Sequence, residues 1–301
     1  MEYFIGKSNK IKEIKDYAQK ISNSPSPLLI YGETGTGKEV LVKYIHDIGN
    51  RRAKPLISQN CAAVPSNLLE SILFGTVRGA FTEALDKKGI FEMANGGILY
   101  LDELNSMPIE LQGKLLRVLE DGVVRRIGDL KEVKVDVRVI ASTNVEPEIC
   151  IEKGLLRRDL FYRLSVFYIQ LPELKERKED IIELCDYFIN AFNRKFNKNI
   201  LGISQEALEF FYNYDWPGNI RELRNVIEAI MNIKDEGFIT PKDLPHYIKR
   251  EHKGLEELVS EYEKRLIKEA LALYNGNVSK AANFLKIPRQ TLQYKIKKLG
   301  I

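Results

Sequence analysis

Short apolar runs alternate with amphipathic stretches along the first 171 residues. The runs PLLIYG (27–32), PLISQNC (55–61), GGILYLDE (96–103) and VDVRVIASTN (135–144) are too brief for helices. They are also apolar without strict alternation, as strands covered on both faces are. Between them, 38–47 and 111–120 repeat apolar residues at helical spacing. That alternation predicts a parallel sheet wrapped by helices. After QLPEL (170–174) the strand signals stop. Helical patterns take over at 180–197, 204–214, 219–232 and 241–252, parted by turn signals such as WPGN and DEGF. Ser204, with Gln205 and Glu206 behind it, and Thr240 before Pro241 read as helix starts. A last pattern begins near Gly254: a long amphipathic helix, the turn NGNVS, a short helix, KIPRQ and a final basic helix. The expected organisation is an α/β unit over 1–171, an all-helical unit over 172–252 and a small helical unit over 253–301.

Composition narrows this little, except at one end. The 301 residues are 44% hydrophobic and 29% charged, ordinary for a globular chain able to bury a core. No apolar run approaches the roughly 18 residues of a membrane span, and residues 1–20 are too charged for a signal peptide. Cys61, Cys150 and Cys185 lack metal or redox spacing and read as reduced, buried thiols of a cytoplasmic protein. The net charge of +4 is uneven: from Ala270 onward there are six basic residues and no acidic one. A basic end on a near-neutral body suggests a module for a polyanion.

The segment GETGTGKE (32–39) follows an apolar strand and opens a helix. Gly32, Gly35 and Gly37, with Glu33, Thr34 and Thr36 between them, let backbone N–H groups converge on a phosphate. Lys38 adds a point charge for the β- and γ-phosphates of a nucleotide. Glu39 stands where most such loops carry a magnesium-binding Ser or Thr. The run GGILYLDE ends in adjacent Asp102 and Glu103 at the ligand edge of the expected sheet. Carboxylates there are costly unless a cation or a water uses them. Asp102 can hold the Mg²⁺ of Mg-ATP, and Glu103 can polarise an attacking water. A different oddity lies at GAFTEA (79–84), where Phe81 has no apolar partner at helical or strand spacing. From this alone, a Phe81 folded into the core and one exposed on a loop both stand.

In this order these motifs resemble the AAA+ ATPases, and more closely the NtrC-type activators of sigma-54 RNA polymerase, over essentially the whole chain. The resemblance makes GETGTGKE, Glu39 included, a Walker A loop and GGILYLDE a Walker B strand. It implies that Asn60 of QNCAA (59–63) is a switch asparagine holding the catalytic Glu103, and that Asn144 of ASTN (141–144) belongs to sensor I. It makes Arg157 and Arg163 of LLRRDLFYRL (155–164) arginine fingers reaching a neighbour's ATP, and Arg221 of WPGNIREL (216–223) the sensor II group facing the γ-phosphate. Arginine can spread over phosphate oxygens as lysine cannot.

The same resemblance answers the oddity. Five of the six residues Gly79, Ala80, Phe81, Thr82, Glu83 and Ala84 match GAFTGA, the pore loop that grips sigma-54. Glu83 replaces the second glycine, removing a hinge and adding a charge. The C-terminal unit resembles a Fis-type helix-turn-helix. Its first helix carries the stripe Leu255, Leu258, Tyr262, Leu266, Ala270 and Leu273, suited to pairing two copies. Ala281 and Ala282 permit close helix packing, and Pro288 begins the recognition helix. Arg289, Gln290, Thr291, Gln293, Tyr294 and Lys295 are the groove-facing candidates, and Lys286, Lys297 and Lys298 the phosphate contacts.

The implied protein is an ATP-hydrolysing, ring-forming activator, dimer to hexamer, that binds upstream double-stranded DNA and remodels closed sigma-54 polymerase into an open complex. Such activators carry a sensor domain ahead of the ATPase, whereas here the ATPase begins at YFIGKS (3–8). A chain trimmed of its sensor and a one-piece activator governed by another protein both fit. Two rival readings use fewer residues. One is a DNA-binding regulator that takes ATP only as an assembly ligand and makes no sigma-54 contact, for which Glu83 argues. The other is an unrelated AAA+ motor that remodels DNA, which the Fis-like end argues against.

Overall fold

The computed structural model describes residues 4–80, 85–249 and 255–300. The chain divides into two units, Met1–Leu244 and Pro245–Ile301. In the first, five strands lie side by side in the order Leu56–Asn60, Ile98–Asp102, Arg138–Thr143, Leu28–Tyr31 and Phe167–Gln170. Every pairing is parallel. Alternate residues serve opposite faces: Leu29, Leu99, Leu101, Val139 and Ala141 pack into one core. Leu28, Ile30, Ile98, Tyr100, Ile140 and Ile169 pack into the other. Burial on both faces is why the three central strands read as apolar runs, whereas Ser58, Tyr168 and Gln170 of the two edge strands are exposed. Each such leucine or isoleucine contributes about 1.5–3 kcal/mol by leaving water. Because all the strands run the same way, Tyr31, Asn60, Asp102, Thr143 and Gln170 end at one edge.

The helices Ile181–Phe196, Gln205–Asn213 and Asn219–Ile233 form the lid of this unit. Ser204 caps the second of them, its hydroxyl accepting from the Ala207 N–H. Two features depart from the sequence pattern. Asn199–Ile203 and Glu236–Ile239 pair as a parallel ribbon beside the lid helices, although no strand signal precedes them. Residues 241–249 form turns, not the expected helix. Thr240 starts as predicted, its N–H and hydroxyl donating to Asp243 Oδ2. Four residues beyond Pro241, however, Pro245 has no N–H for the Pro241 carbonyl and its ring clashes with it. Proline also disfavours the helical conformation at Leu244 before it.

Two antiparallel ribbons project from the sheet's helices. Gly75–Thr76 pairs with Lys87–Lys88, and Val123–Arg125 with Glu132–Lys134. In the second unit, helices Leu255–Leu273, Val278–Phe284 and Arg289–Leu299 close over Ile267, Ala270, Ala281, Ala282 and Leu292. Asn277 caps the middle helix by accepting from the Lys280 N–H. Among the described residues, no helix is long and apolar enough to cross a membrane.

Candidate functional site

Between Tyr31 and the helix Lys38–Ile48 the chain turns through Gly35 (φ +82°) and Gly37 (φ +104°). Both lie in the left-handed region that favours glycine. A Cβ on Gly35 would stand 2.2 Å from the Gly218 carbonyl oxygen, so no other residue fits. Lys38 is only 8% exposed. Its ammonium donates to the Gly32 and Glu33 carbonyls at 2.6 and 3.1 Å. Burial pushes its pKa down, opposed by Asp102 and Glu103 and aided by Arg221. Thr36 is fully buried and bonds back to the Glu33 carbonyl. Glu39 pairs with Lys43 one turn on.

Asp102 ends its strand with a full set of donors. Its Oδ1 lies 2.9 Å from the Tyr100 hydroxyl and 2.5 Å from Ser142 Oγ, and its Oδ2 accepts from the Asn60 amide at 3.2 Å. Tyr100 sits two residues back on the same strand and so on the same face. Burial, then the Asp102 charge, pushes the Tyr100 phenol pKa far up, which keeps it a donor. Glu103 follows in a left-handed conformation, φ +53°, uncommon for a residue with a side chain. Asn144 accepts from the Asn105 amide. Beside them, Thr143 Oγ1 and Asn105 Oδ1 are buried with no hydrogen-bond partner among the described residues.

The resemblance implied that Asn60 holds Glu103; in the structure its amide reaches Asp102 instead. The cause is register. Asn60 and Asp102 are directly paired on neighbouring parallel strands, so their side chains emerge together. Glu103 lies beyond the strand, on the opposite alternation and turned by its positive φ. The Asn60 Oδ1 closes the next turn by accepting from the Ala62 and Ala63 N–H groups.

One cavity of about 440 Å³ collects part of this set, Lys38, Tyr100, Asp102 and Glu103 among it, while Asn60 and Asn144 are not among its lining residues. Thr34, Gly35, Gly37, Lys38, Glu39, Asp102 and Glu103 line one part, and Arg221 and Arg224 reach in from the lid. Phe4, Ile5, Val40, Leu184, Phe188, Phe192 and Ile220 give the rest a largely apolar wall, which Tyr187 and Lys195 also line. A glycine-turned end where Lys38, Arg221 and Arg224 face Glu39, Asp102 and Glu103, with apolar side chains beside it, suits a polyphosphate carrying a flat base. Sequence patterning missed the apolar wall and also Tyr100, Ser142 and Asn105. Arg157 and Arg163 are not among the lining residues. Arg157 forks onto Asp159 at 3.0 and 2.7 Å, which holds the Asp159 carboxyl below its usual range. Arg163 donates twice to the Leu119 carbonyl.

Of the segment 79–84, Phe81, Thr82, Glu83 and Ala84 lie outside the described residues. Gly79 (φ +87°) has open space where a Cβ would be, and Ala80 packs against Gly128 of the second ribbon's turn. That turn is braced by Arg126, which forks onto the nearly buried Glu92 with both contacts at 2.7 Å.

On the last helix Arg289, Gln290, Gln293, Tyr294, Lys297 and Lys298 are exposed, as is Lys286 in the turn before it, and Thr291 is half-buried. Lys295 differs from the expectation. It lies three residues past buried Leu292, which turns it inward to pair with Glu263 at 2.5 Å. The predicted pairing stripe also divides. Ala270 is buried in its own unit, Tyr262 and Leu273 are exposed, and the side chains of Leu255 and Leu258 lie outside the described ones.

Comparison with known proteins identifies three families along the chain. Residues 4–170 match the sigma-54 interaction domain, 175–261 the AAA+ ATPase lid domain and 259–299 the Fis family of bacterial regulatory proteins. The transcriptional activator RocR of Bacillus subtilis is 45% identical, the match covering 98% of this chain and 68% of RocR. A signal-transduction and transcriptional-control protein of Clostridium beijerinckii is also 45% identical, over 99% of this chain and 48% of that protein. The crystal structure of NtrX from Brucella abortus in complex with ATP superposes with a TM-score of 0.77 at 34% identity, covering 100% of this chain and 70% of that one. The chain thus spans between about half and two thirds of the length of these curated relatives.

Proposed function

The chain belongs to the family of sigma-54-dependent activators that join an AAA+ ATPase to a Fis-type DNA-binding unit, and we propose that it hydrolyses ATP to remodel sigma-54 polymerase. The observation that carries this is the convergence of Lys38, Asp102, Glu103 and Arg221 on one cavity with an apolar wall. The triphosphate lies along the 32–39 loop, its charge met by Lys38 and the N-terminus of the helix Lys38–Ile48. Arg221 stands on the lid side, against the γ-phosphate.

The donor set fits a hard cation brought in with the nucleotide. Asp102 is an oxygen ligand held in one orientation by Tyr100, Ser142 and Asn60. Bound there, Mg²⁺ would neutralise phosphate charge. Glu103 orients the attacking water and takes its proton, from the position just past the strand, where its backbone is left-handed at φ +53°. Asn60 acts on this pair through Asp102, and Asn144, beside Asn105, reports the state of the γ-phosphate.

Arg157 and Arg163 serve a neighbouring subunit's nucleotide, since neither lines its own chain's cavity; the working form is therefore a ring. The segment 79–84 carries the contact with sigma-54, seated on Gly128 through Ala80. The last helix enters the DNA major groove with Arg289, Gln290, Gln293 and Tyr294, while Lys286, Lys297 and Lys298 meet phosphates. The protein works in the cytoplasm on upstream DNA. The test is conversion of closed sigma-54 promoter complexes to open ones with ATP but not with a non-hydrolysable analogue; equal conversion with both would refute the proposal.

A further inference from the structure

Three successive carbonyls of the nucleotide loop are held from outside it. The Asn219 side-chain amide donates to the Thr34 carbonyl at 3.1 Å, the Ile220 N–H to Gly35 at 3.0 Å and Arg177 Nη2 to Thr36 at 2.8 Å. Asn219 and Arg177 are 0% and 1% exposed. Asn219 is fixed in turn by a left-handed φ of +53° and by the Leu174 N–H, which donates to its Oδ1 at 2.8 Å.

A trans peptide is planar, so each carbonyl points opposite to the next residue's N–H. Drawing these carbonyls toward the lid turns the N–H groups of Gly35, Thr36 and Gly37 the other way. That of Thr36 closes on the Glu33 carbonyl at 3.3 Å. By the same planarity those of Gly35 and Gly37 point away from the three carbonyl contacts, as donors to a phosphate must.

Arg177 is a poor choice for packing. Its guanidinium is wholly buried, with Nε and Nη1 lacking any hydrogen-bond partner among the described residues. Burial lowers its pKa to about 10. An incompletely paired buried charge costs stability that an apolar residue of the same size would not. The charges of Asp180 and Glu176 oppose that burial cost, and the one hydrogen bond its guanidinium makes among the described residues is the contact with Thr36.

The geometry points to Arg177, together with Asn219, as positioning residues that hold the nucleotide loop in its phosphate-binding form and tie that form to the lid. The inference rests on the ATPase reading above. It makes lid movement and loop shape one event: a lid that swings away takes the three carbonyls with it and turns the amides off the phosphate.

The test uses the full chain carrying Arg177→Met, apolar and of similar length, and Arg177→Lys, which keeps a donor. Thermal midpoint, affinity for a fluorescent ADP analogue, and KM and kcat for ATP are measured on each. The methionine variant is expected to keep or raise the thermal midpoint. Its ADP affinity should fall and its KM rise by about tenfold, with kcat within about threefold of the wild type. The lysine variant should recover most of the loss. Wild-type ADP affinity and KM in a folded Arg177→Met protein overturn the inference. So does an equal loss in both variants alongside a lowered midpoint, which marks a purely structural role. If the methionine variant does not fold, Asn219→Asp decides, because it keeps the acceptor for Leu174 and loses the donor to Thr34. The same KM rise is then expected, and an unchanged KM overturns the inference. A wild-type chain that binds no ADP overturns the ATPase reading and this inference with it.

Discussion

Asn60 donates its side-chain amide to Asp102 Oδ2 across 3.2 Å, because the two are paired in register on adjacent parallel strands. Asp102 is thereby held from three sides, while Glu103 faces the cavity from the next position with φ +53°. Two adjacent carboxylates are given different surroundings by one strand end. Asp102 is fixed by three donors, and Glu103 carries a left-handed backbone beside it; on the proposed function the first would hold a cation and the second would face a water.

That division sets the first expectation. Glu103→Gln keeps the shape and the ATP affinity but loses the proton acceptor, so hydrolysis should slow by about a hundredfold or more. Lys38→Ala should lose much of the binding itself. Wild-type turnover by the Glu103→Gln protein would contradict the assignment of the base.

The arginines give the second. Arg157 and Arg163 are engaged with Asp159 and the Leu119 carbonyl in their own chain, outside its cavity. A finger supplied by a neighbour is worth about 10³-fold or more in rate, so activity should rise steeply with protein concentration. Mixing inactive Arg157→Ala or Arg163→Ala chains with inactive Glu103→Gln chains should restore part of the hydrolysis, since some interfaces are then complete. Mixtures that co-assemble yet stay inactive would count against fingers acting between chains.

The third concerns DNA. Exposed Lys298 is expected to meet a phosphate, so Lys298→Ala should weaken all sites alike and reduce the salt slope by about one. Arg289→Ala should instead relax base preference. Lys295, committed to Glu263, should change the slope little when replaced by alanine. Loss of base preference in the Lys298→Ala protein, or a full unit of slope lost with Lys295→Ala, would show that another face meets the duplex. Fluorescence anisotropy on specific and random duplexes over a salt series reads all three.

Much of the fold was legible because the sheet is covered on both faces. Leu28–Ile30 and Ile98–Leu101 announce buried strands in four letters or fewer. The edge strand Phe167–Gln170 was not, since Tyr168 is exposed and only Ile169 is fully buried. The helix expected over 241–252 is absent over its described part, 241–249, where Pro245 outweighs the capping residues Thr240 and Pro241; residues 250–252 lie outside the described ones. The nucleotide loop was legible because its glycines act through backbone conformation, which sequence records directly. Its attachment to the lid was not: Arg177 and Asn219 meet the loop across 141 and 185 residues, and neither has a spacing that reveals its partner. The Asn60–Asp102 contact was not legible for a similar reason, since strand register sets it and a motif does not record register.

The most direct measurement of the central claim separates hydrolysis from its use. Open-complex formation on a sigma-54 promoter, and ATP turnover, are followed in parallel for the wild type, Phe81→Ala and Glu83→Gly. The account predicts that Phe81→Ala folds, assembles and hydrolyses ATP within about twofold of the wild type, yet makes no open complexes. Glu83→Gly, regaining a hinge and shedding a charge, should keep or improve open-complex formation at unchanged turnover. A Phe81→Ala protein that loses stability by about 3–5 kcal/mol, as a buried phenylalanine would, or one that still opens promoters normally, would contradict it.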